Sequence, residues 1–407
     1  MKYANIIATP LQVICATAYR GKVALSVLKA GTNNAQSLIY LIDPLNDKHL
    51  PDAPFATVDM ECSALYVLHS DDDTTDKNDR LICVGSDVIY LDANGKLASC
   101  FHRHILHDMM KGIANISDSN RLHNIDIFDC QFNVFRDNLV CYHILSGIAL
   151  LDRYGNRIAS YKIGKSNLLR NVVVLDDMLM VFEAEDESGY HGVRVVHISM
   201  DDDGVETKYI SILDKDLVVQ RRFTSNMEFD GPMLFYPSTD GNYLVTTSLP
   251  CINVYTLDRD LNLKRVHVMN TLESEEDVSE DDGDVTKAGN YIISTNMFSH
   301  REDYRKMVSV HSLDGRTLFK EAIEEYYDCL MTLGNLIIMN YAIADTGGSE
   351  IRMVRISDIV DDYSSLAEEL YNAIDDAQSE TDNLKSEVRS LKLQLTALSI
   401  CHREDVK

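Results

Sequence analysis

The residues best suited to chemistry lie in one short run, Cys100-x-His102-x-His104-x2-His107. Thiolate and imidazole are the ligands that zinc and similar borderline-soft cations prefer. On a β-strand residues i and i+2 share a face, so His102 and His104 would point together, with Cys100 beside them. Arg103 interrupts the run, and the sequence places no carboxylate partner for it. The competing reading is therefore a group of surface histidines, and the sequence by itself calls for no metal and no cofactor. Cys100, His102, His104 and His107 stand as candidates only.

Elsewhere the chemical signals are sparse. Of the 9 cysteines, the closest pair in sequence, Cys130 and Cys141, are 11 apart, so no zinc-ribbon spacing occurs. Several sit in apolar runs, such as LIC at Cys83 and LVC at Cys141, where the thiol acts as a small hydrophobe. Scattered cysteines of this kind fit a reducing, cytoplasmic setting. No phosphate-binding glycine loop, nucleophile elbow or HExxH pair is found, and in so acidic a chain a pair of carboxylates carries no information. The expectation is a protein that is not an enzyme. The alternative is an enzyme or metal-binding sensor working through a central channel of the fold or through the histidine cluster.

The 38 Lys and Arg against 64 Asp and Glu leave a net charge of −26 across 407 residues. Such a surface repels nucleic-acid backbones and anionic lipid and favours basic protein partners. The start, MKYANIIATPLQVICATAY, lacks a signal-peptide core, and no stretch approaches the roughly 18 apolar residues of a membrane span.

The elements that would hold these residues are strands. An alternating run ending in an apolar-Asp turn recurs at Asp43, Asp92, Asp152, Asp201, Asp258, Asp314 and Asp358. The spacings are 49, 60, 49, 57, 56 and 44 residues, a mean of about 52. Upstream of the turns lie further apolar strands, among them RLICVGS, NLVCYHI, DMLMVFEAE, NYLVTTS, NYIISTN and NLIIMNY. Four short strands per unit, joined by Asp, Asn and Gly turns, match the blade of a β-propeller better than a pair of sandwiches. Seven turns imply seven blades over residues 1–360. The last blade lacks an outer strand, and residues 2–9, within the N-terminal run KYANIIATP, could supply one.

Three stretches exceed what blades need: 71–79, 102–124 and 273–284. The middle one could include a short helix. The last, ESEEDVSEDDGD, reads as a solvated acidic loop.

From Ser364 the apolar period changes to heptads. Position a holds Ala367, Ile374, Thr381, Val388 and Leu395, and position d holds Leu370, Ala377, Leu384, Leu391 and Leu398. β-Branched residues at a with Leu at d favour a parallel two-stranded coil. Glu380 and Glu387 at g stand five residues before Lys385 and Lys392 at e, so each would meet a partner lysine. Residues 361–400 are therefore expected to be a coiled-coil helix that makes a homodimer through Leu370, Ile374, Leu384, Val388, Leu391, Leu395 and Leu398. A disordered tail would follow over 401–407.

The repeat resembles the β-propeller repeat families, and a seven-bladed propeller followed by a coiled coil is similar in layout to coronins. The WD40 signature is missing, since the chain has no Trp, so no functional residue is carried over. The expected fold class is an all-β, seven-bladed propeller closed by its N-terminal strand and followed by a C-terminal coiled-coil helix. Its expected role is a scaffold that binds basic protein partners. A structural subunit of a larger assembly, with the tail joining a different helix, is a further alternative.

Overall fold

A computed structural model describes residues 3–29, 35–69, 79–114, 130–164, 167–175, 177–185, 208–225, 227, 233–238, 241–248, 251–258, 262–270, 285–300, 303–313, 316–323, 327–343 and 347–360. Two compact units divide the chain, 1–356 and 357–407. All strands among the described residues belong to the first.

After β1 (Asn5–Thr9) the strands follow in fours. Blade 1 is β2 (Val13–Tyr19), β3 (Lys22–Leu28), β4 (Ser37–Ile42) and β5 (Ala56–Val58). Blade 2 is β6 (Ala64–Leu68), β7 (Arg80–Val84), β8 (Asp87–Leu91) and β9 (Leu97–His102), followed by the helix α1 (Arg103–Ile113). Blade 3 is β10 (Gln131–Phe135), β11 (Asn138–His143), β12 (Gly147–Leu151) and β13 (Arg157–Lys162). Blade 4 is β14 (Asn167–Leu175), β15 (Met178–Glu185), β16 (Lys208–Leu213) and β17 (Val219–Ser225). Blade 5 is β18 (Met233–Ser238), β19 (Gly241–Ser248), β20 (Cys251–Leu257) and β21 (Leu263–Asn270). Blade 6 is β22 (Val285–Ala288), β23 (Tyr291–His300), β24 (Asp303–Ser312) and β25 (Thr317–Ile323). Blade 7 has β26 (Tyr327–Leu333), β27 (Leu336–Ile343) and β28 (Gly348–Arg355), and takes β1 as its outer strand. The innermost strands β2, β6, β10, β14, β18, β22 and β26 neighbour one another in turn, and β26 lies beside β2, so the ring is closed.

Blade stacking explains why the middle strands are apolar on both faces. In β7, Leu81 and Cys83 pack toward Ala56, Val58 and Met60 of the blade 1 side. Ile82 and Val84, which point the other way, pack toward Phe132, Leu139 and Cys141 of blade 3. The helix α1 buries Leu106, Met110 and Ile113 in that second cluster, a spacing of four and three that makes one helical face.

The closure joins the two ends of the propeller. β1 pairs antiparallel with β28 in the register Asn5↔Met353, Ile7↔Ile351 and Thr9↔Ser349. Its burial alternates, with Asn5, Ile7 and Thr9 inside and Ile6 and Ala8 outside. Ile7 is fully buried among Val23, Leu25, Ile338 and Met353, which contributes roughly 1.5–3 kcal/mol. Asn5 donates from Nδ2 to the carbonyls of Pro44 (3.0 Å) and Asp47 (2.7 Å), tying the last blade to the corner of the first. Two buried bonds repeat the link deeper in. The Val13 N–H donates to Ser349 Oγ (2.9 Å), and Asn340 Nδ2 donates to the Val13 carbonyl (3.1 Å).

The Asp corners have a shared geometry. Asp92 Oδ1 accepts the N–H groups of Asn94 and Lys96 at 2.9 Å each, while the Asp92 N–H donates to the Lys96 carbonyl. Asp152 and Asp214 do the same across the four following residues, and Asp258 Oδ1 accepts the Asn262 N–H while its own N–H donates to the Asn262 carbonyl. The backbone N–H of Lys96, foremost, holds the Asp92 carboxyl below the usual carboxylate range, and that of Val218 does so for Asp214. Gly95 must be glycine twice over: its φ is +75°, and a Cβ there would sit 2.2 Å from the Phe55 carbonyl oxygen.

Three expected corners are corrected. The fourth-blade hairpin turns at Asp214, not Asp201, because 22 residues, 186–207, intervene between β15 and β16. Asp201 lies outside the described residues. In blade 6 the corner position is Ser312, whose N–H and hydroxyl both donate to the Arg316 carbonyl, and Asp314 lies outside the described residues. Asp358 falls in the helical residues 356–360 and opens no hairpin, since the seventh outer strand comes from the chain start. Residues 71–78 and 273–284 of the acidic stretches and the coiled-coil segment 361–400, with all seven dimerisation residues from Leu370 to Leu398 and the coronin-like layout, also lie outside the described residues.

Two buried polar groups are satisfied by the strand order. Glu183 on β15 is fully buried and accepts from Tyr161 Oη (2.6 Å), Asn167 Nδ2 (2.8 Å) and Arg222 Nη2 (3.3 Å), so its charge is paired where water is excluded. On blade 6, His311 faces Ser294 Oγ from Nε2 and Thr317 Oγ1 from Nδ1, both at 3.1 Å. Burial, with a smaller push from Lys320, lowers the His311 pKa to about 4.

Two measurements test this description. Removing Met1–Thr9 should cost on the order of 3–6 kcal/mol through lost burial and orphaned β28 groups, seen as a lower melting temperature and aggregation. Unchanged melting would contradict the closure. The second concerns pH. An unfolded histidine takes its proton near 6.5, whereas folded His311 resists until about 4. Its stabilising contribution is complete above pH 6.5 and lost as pH falls toward 4. Melting-temperature profiles of His311→Gln should be flatter than wild type across that window; parallel profiles would refute the assignment.

Candidate functional site

The run from Cys100 to His107 is split between two elements. β9 ends at His102, which also serves as the N-cap of α1 in an extended conformation (φ −69°, ψ 137°). Cys100 and His102 therefore share a strand face as expected. His104 does not follow them along the strand, because the backbone has become helical, but its ring stacks on that of His102 at a centroid distance of 5.6 Å and 13° between planes. His107, further along α1, faces Asp108 at 3.8 Å and is not part of the cluster.

The member that sequence reasoning missed is Asp87. The hairpin about Asp92 places Asp87 directly opposite His102 and Ile89 opposite Cys100. Asp87 Oδ2 then lies 3.4 Å from His102 Nδ1, and the Asp87 carboxylate, the Cys100 sulfur and a His102 nitrogen all fall within 4.8 Å of one another. The signal was present in the Asp92 turn, but the register also depends on a bulge between Tyr90 and Leu91 that no residue type announces. Asp87 Oδ1 accepts the first helical N–H, from Arg103, at 3.1 Å. The Arg103 guanidinium donates to the Gly85 carbonyl at 2.5 Å, so the cation that interrupts the run is turned toward the backbone. Partial burial, then the Asp87 charge, raises the Cys100 thiol pKa above its ordinary value.

A second feature adjoins this rim. Between α1 and the blade 3 corner lies a groove of about 540 Å³ lined by Phe101, Ile105, Asp108, Met109, Gly155 and Arg157, among others. Gly155 makes room for it: a Cβ at that residue would press on the Phe101 ring at 3.3 Å. Ile105 is 46% exposed, and Tyr154 and Ile158, which neighbour the corner residues in sequence, are 62% and 54% exposed.

This architecture defines a class: the chain is a seven-bladed β-propeller. Among solved structures it is similar to Raptor of Chaetomium thermophilum (10% identity over 87% of this chain and 28% of that one, TM-score 0.50). It is also similar to the β-propeller domain of Cps50 (Swd1) of Myceliophteria thermophila (10% identity, 86% and 99% covered, TM-score 0.49). BamB of Moraxella catarrhalis is a third (11% identity, 84% and 82% covered, TM-score 0.41). At such identities the likeness concerns the fold alone. No protein-family model and no curated protein matches the sequence.

Five cysteine thiols differ in access: Cys62, Cys83, Cys130 and Cys141 are buried and Cys100 is exposed. Maleimide added to the native protein should label Cys100 ahead of those four, faster as pH rises because its thiol is held protonated. Mass spectrometry of the digested product reads the order. Early labelling at any of the four buried thiols would contradict the blade packing.

Proposed function

We propose that this chain is a non-enzymatic interaction scaffold: a propeller that binds protein partners with basic surfaces, paired with a second copy through a parallel coiled coil over the C-terminal heptads. The observation that carries the reading is the groove beside α1. It offers apolar walls from Phe101, Ile105 and Met109 and an exposed carboxylate at Asp108. An apolar anchor flanked by Lys or Arg would suit that lining and the net charge of −26. Heptads with Leu at d and Glu–Lys pairs at g and e support pairing, and two propellers on one stalk would make the second contact intramolecular. Cys62, Cys83, Cys100, Cys130 and Cys141 are thiols outside any disulfide, which supports a reducing compartment.

Light scattering separates the parts of this reading. The full chain should be a dimer at micromolar concentration, and a chain ending at Tyr363 a folded monomer. Leu384→Asp with Leu391→Asp should also give monomers, because charges in the seam cannot be paired there. A monomeric full chain would end the dimer reading and favour a tail that joins a different helix. Affinity capture from the native source, without cross-linking, should yield basic proteins that elute with rising salt and are lost by Ile105→Asp. Retention of the same set by that variant would end the groove's role.

A further inference from the structure

We infer that Asp87, Cys100 and His102 form a binding site for a zinc-class divalent cation on the rim of blade 2, with water as the fourth ligand. The inference is independent of the scaffold reading. Three observations support it. First, the ligands come from two paired strands, opposite and diagonal to one another, so the sheet ladder sets their positions before any metal arrives. Second, the 3.4 Å between Asp87 Oδ2 and His102 Nδ1 equals the edge of a tetrahedron whose metal–oxygen and metal–nitrogen bonds are about 2.0–2.1 Å. Third, Asp87 is oriented by its second oxygen, which holds the Arg103 N–H at the start of α1, leaving Oδ2 for the cation.

The donor set chooses the metal. One sulfur, one nitrogen and one oxygen suit zinc or cobalt and disfavour calcium and magnesium, which require oxygen shells. On binding, the Cys100 thiol gives its proton to solvent and the sulfur coordinates as thiolate. The cluster is open on its solvent side, since His102 and Cys100 are exposed. That leaves room for a water that a partner's side chain could replace. His104, stacked flat on the His102 ring, holds the imidazole plane and is not a ligand.

Cobalt(II) titrated into the full-length protein provides the test. The expected result is one equivalent bound with a sulfur-to-cobalt charge-transfer band, displaced by one equivalent of zinc. Cys100→Ser should abolish the band, and Asp87→Asn and His102→Gln should each weaken binding by about 10-fold or more. His104→Gln should retain the band with affinity within a few-fold of wild type. The sequence carries another thiol–imidazole pair at Cys401 and His402, so Cys401→Ser should leave the band intact. Melting temperatures of the apo variants confirm that each is folded. Absence of the band, its survival in Cys100→Ser, its loss in Cys401→Ser, or full affinity in Asp87→Asn would each overturn the site.

Discussion

Seven sheets stacked face to face have no natural end, and a stack left open would expose one apolar face at each end and one unpaired strand. The pairing of β1 with β28 removes both defects at once. It joins residues more than three hundred positions apart, and the entropic cost of closing so long a loop grows only slowly with its length. What offsets that cost is local: the burial of Ile7, the two carbonyls bound by Asn5, and the bonds of Val13 with Ser349 and Asn340. Blade 1 can then pack on blade 7 as the other blades pack on their neighbours.

Once the ring is closed, additions at the outer ends of blades become tolerable, because the inner strands already carry the core. The helix α1 illustrates this. It enters after the outermost strand of blade 2, contributes Leu106, Met110 and Ile113 to the seam with blade 3, and leaves Ile105 and Asp108 on the outside. The same junction creates both rim features. The groove exists because α1 lies against the blade 3 corner, and the Asp87–Cys100–His102 cluster exists because β9 stops at His102.

Much of this architecture was legible in the sequence because its causes are local. Asp92 and Asp152 announce their hairpins, since a short carboxylate that accepts two backbone N–H groups needs only the next four residues. The missing seventh outer strand and the unpartnered N-terminal one could be matched by counting. The fourth blade was misread because HGVRVVHISMD ends in an apolar-Asp pattern much as KYISILD does, and residue pattern alone does not rank the two. At the rim, the i, i+2 relation of Cys100 and His102 could be read, but Asp87 could not. Its position depends on the bulge before Leu91, and the helical turn at Arg103 was decided by packing of the α1 apolar face.

The account depends most on the N-terminal strand being as firmly built as the core it completes, and native-state amide hydrogen exchange measures that property directly. The protected amides of β1 should exchange only through the global opening of the propeller, with the same free energy as those of β27 and β28. Exchange of β1 on the fast timescale of a fraying terminus, while β27 and β28 stay protected, would contradict it.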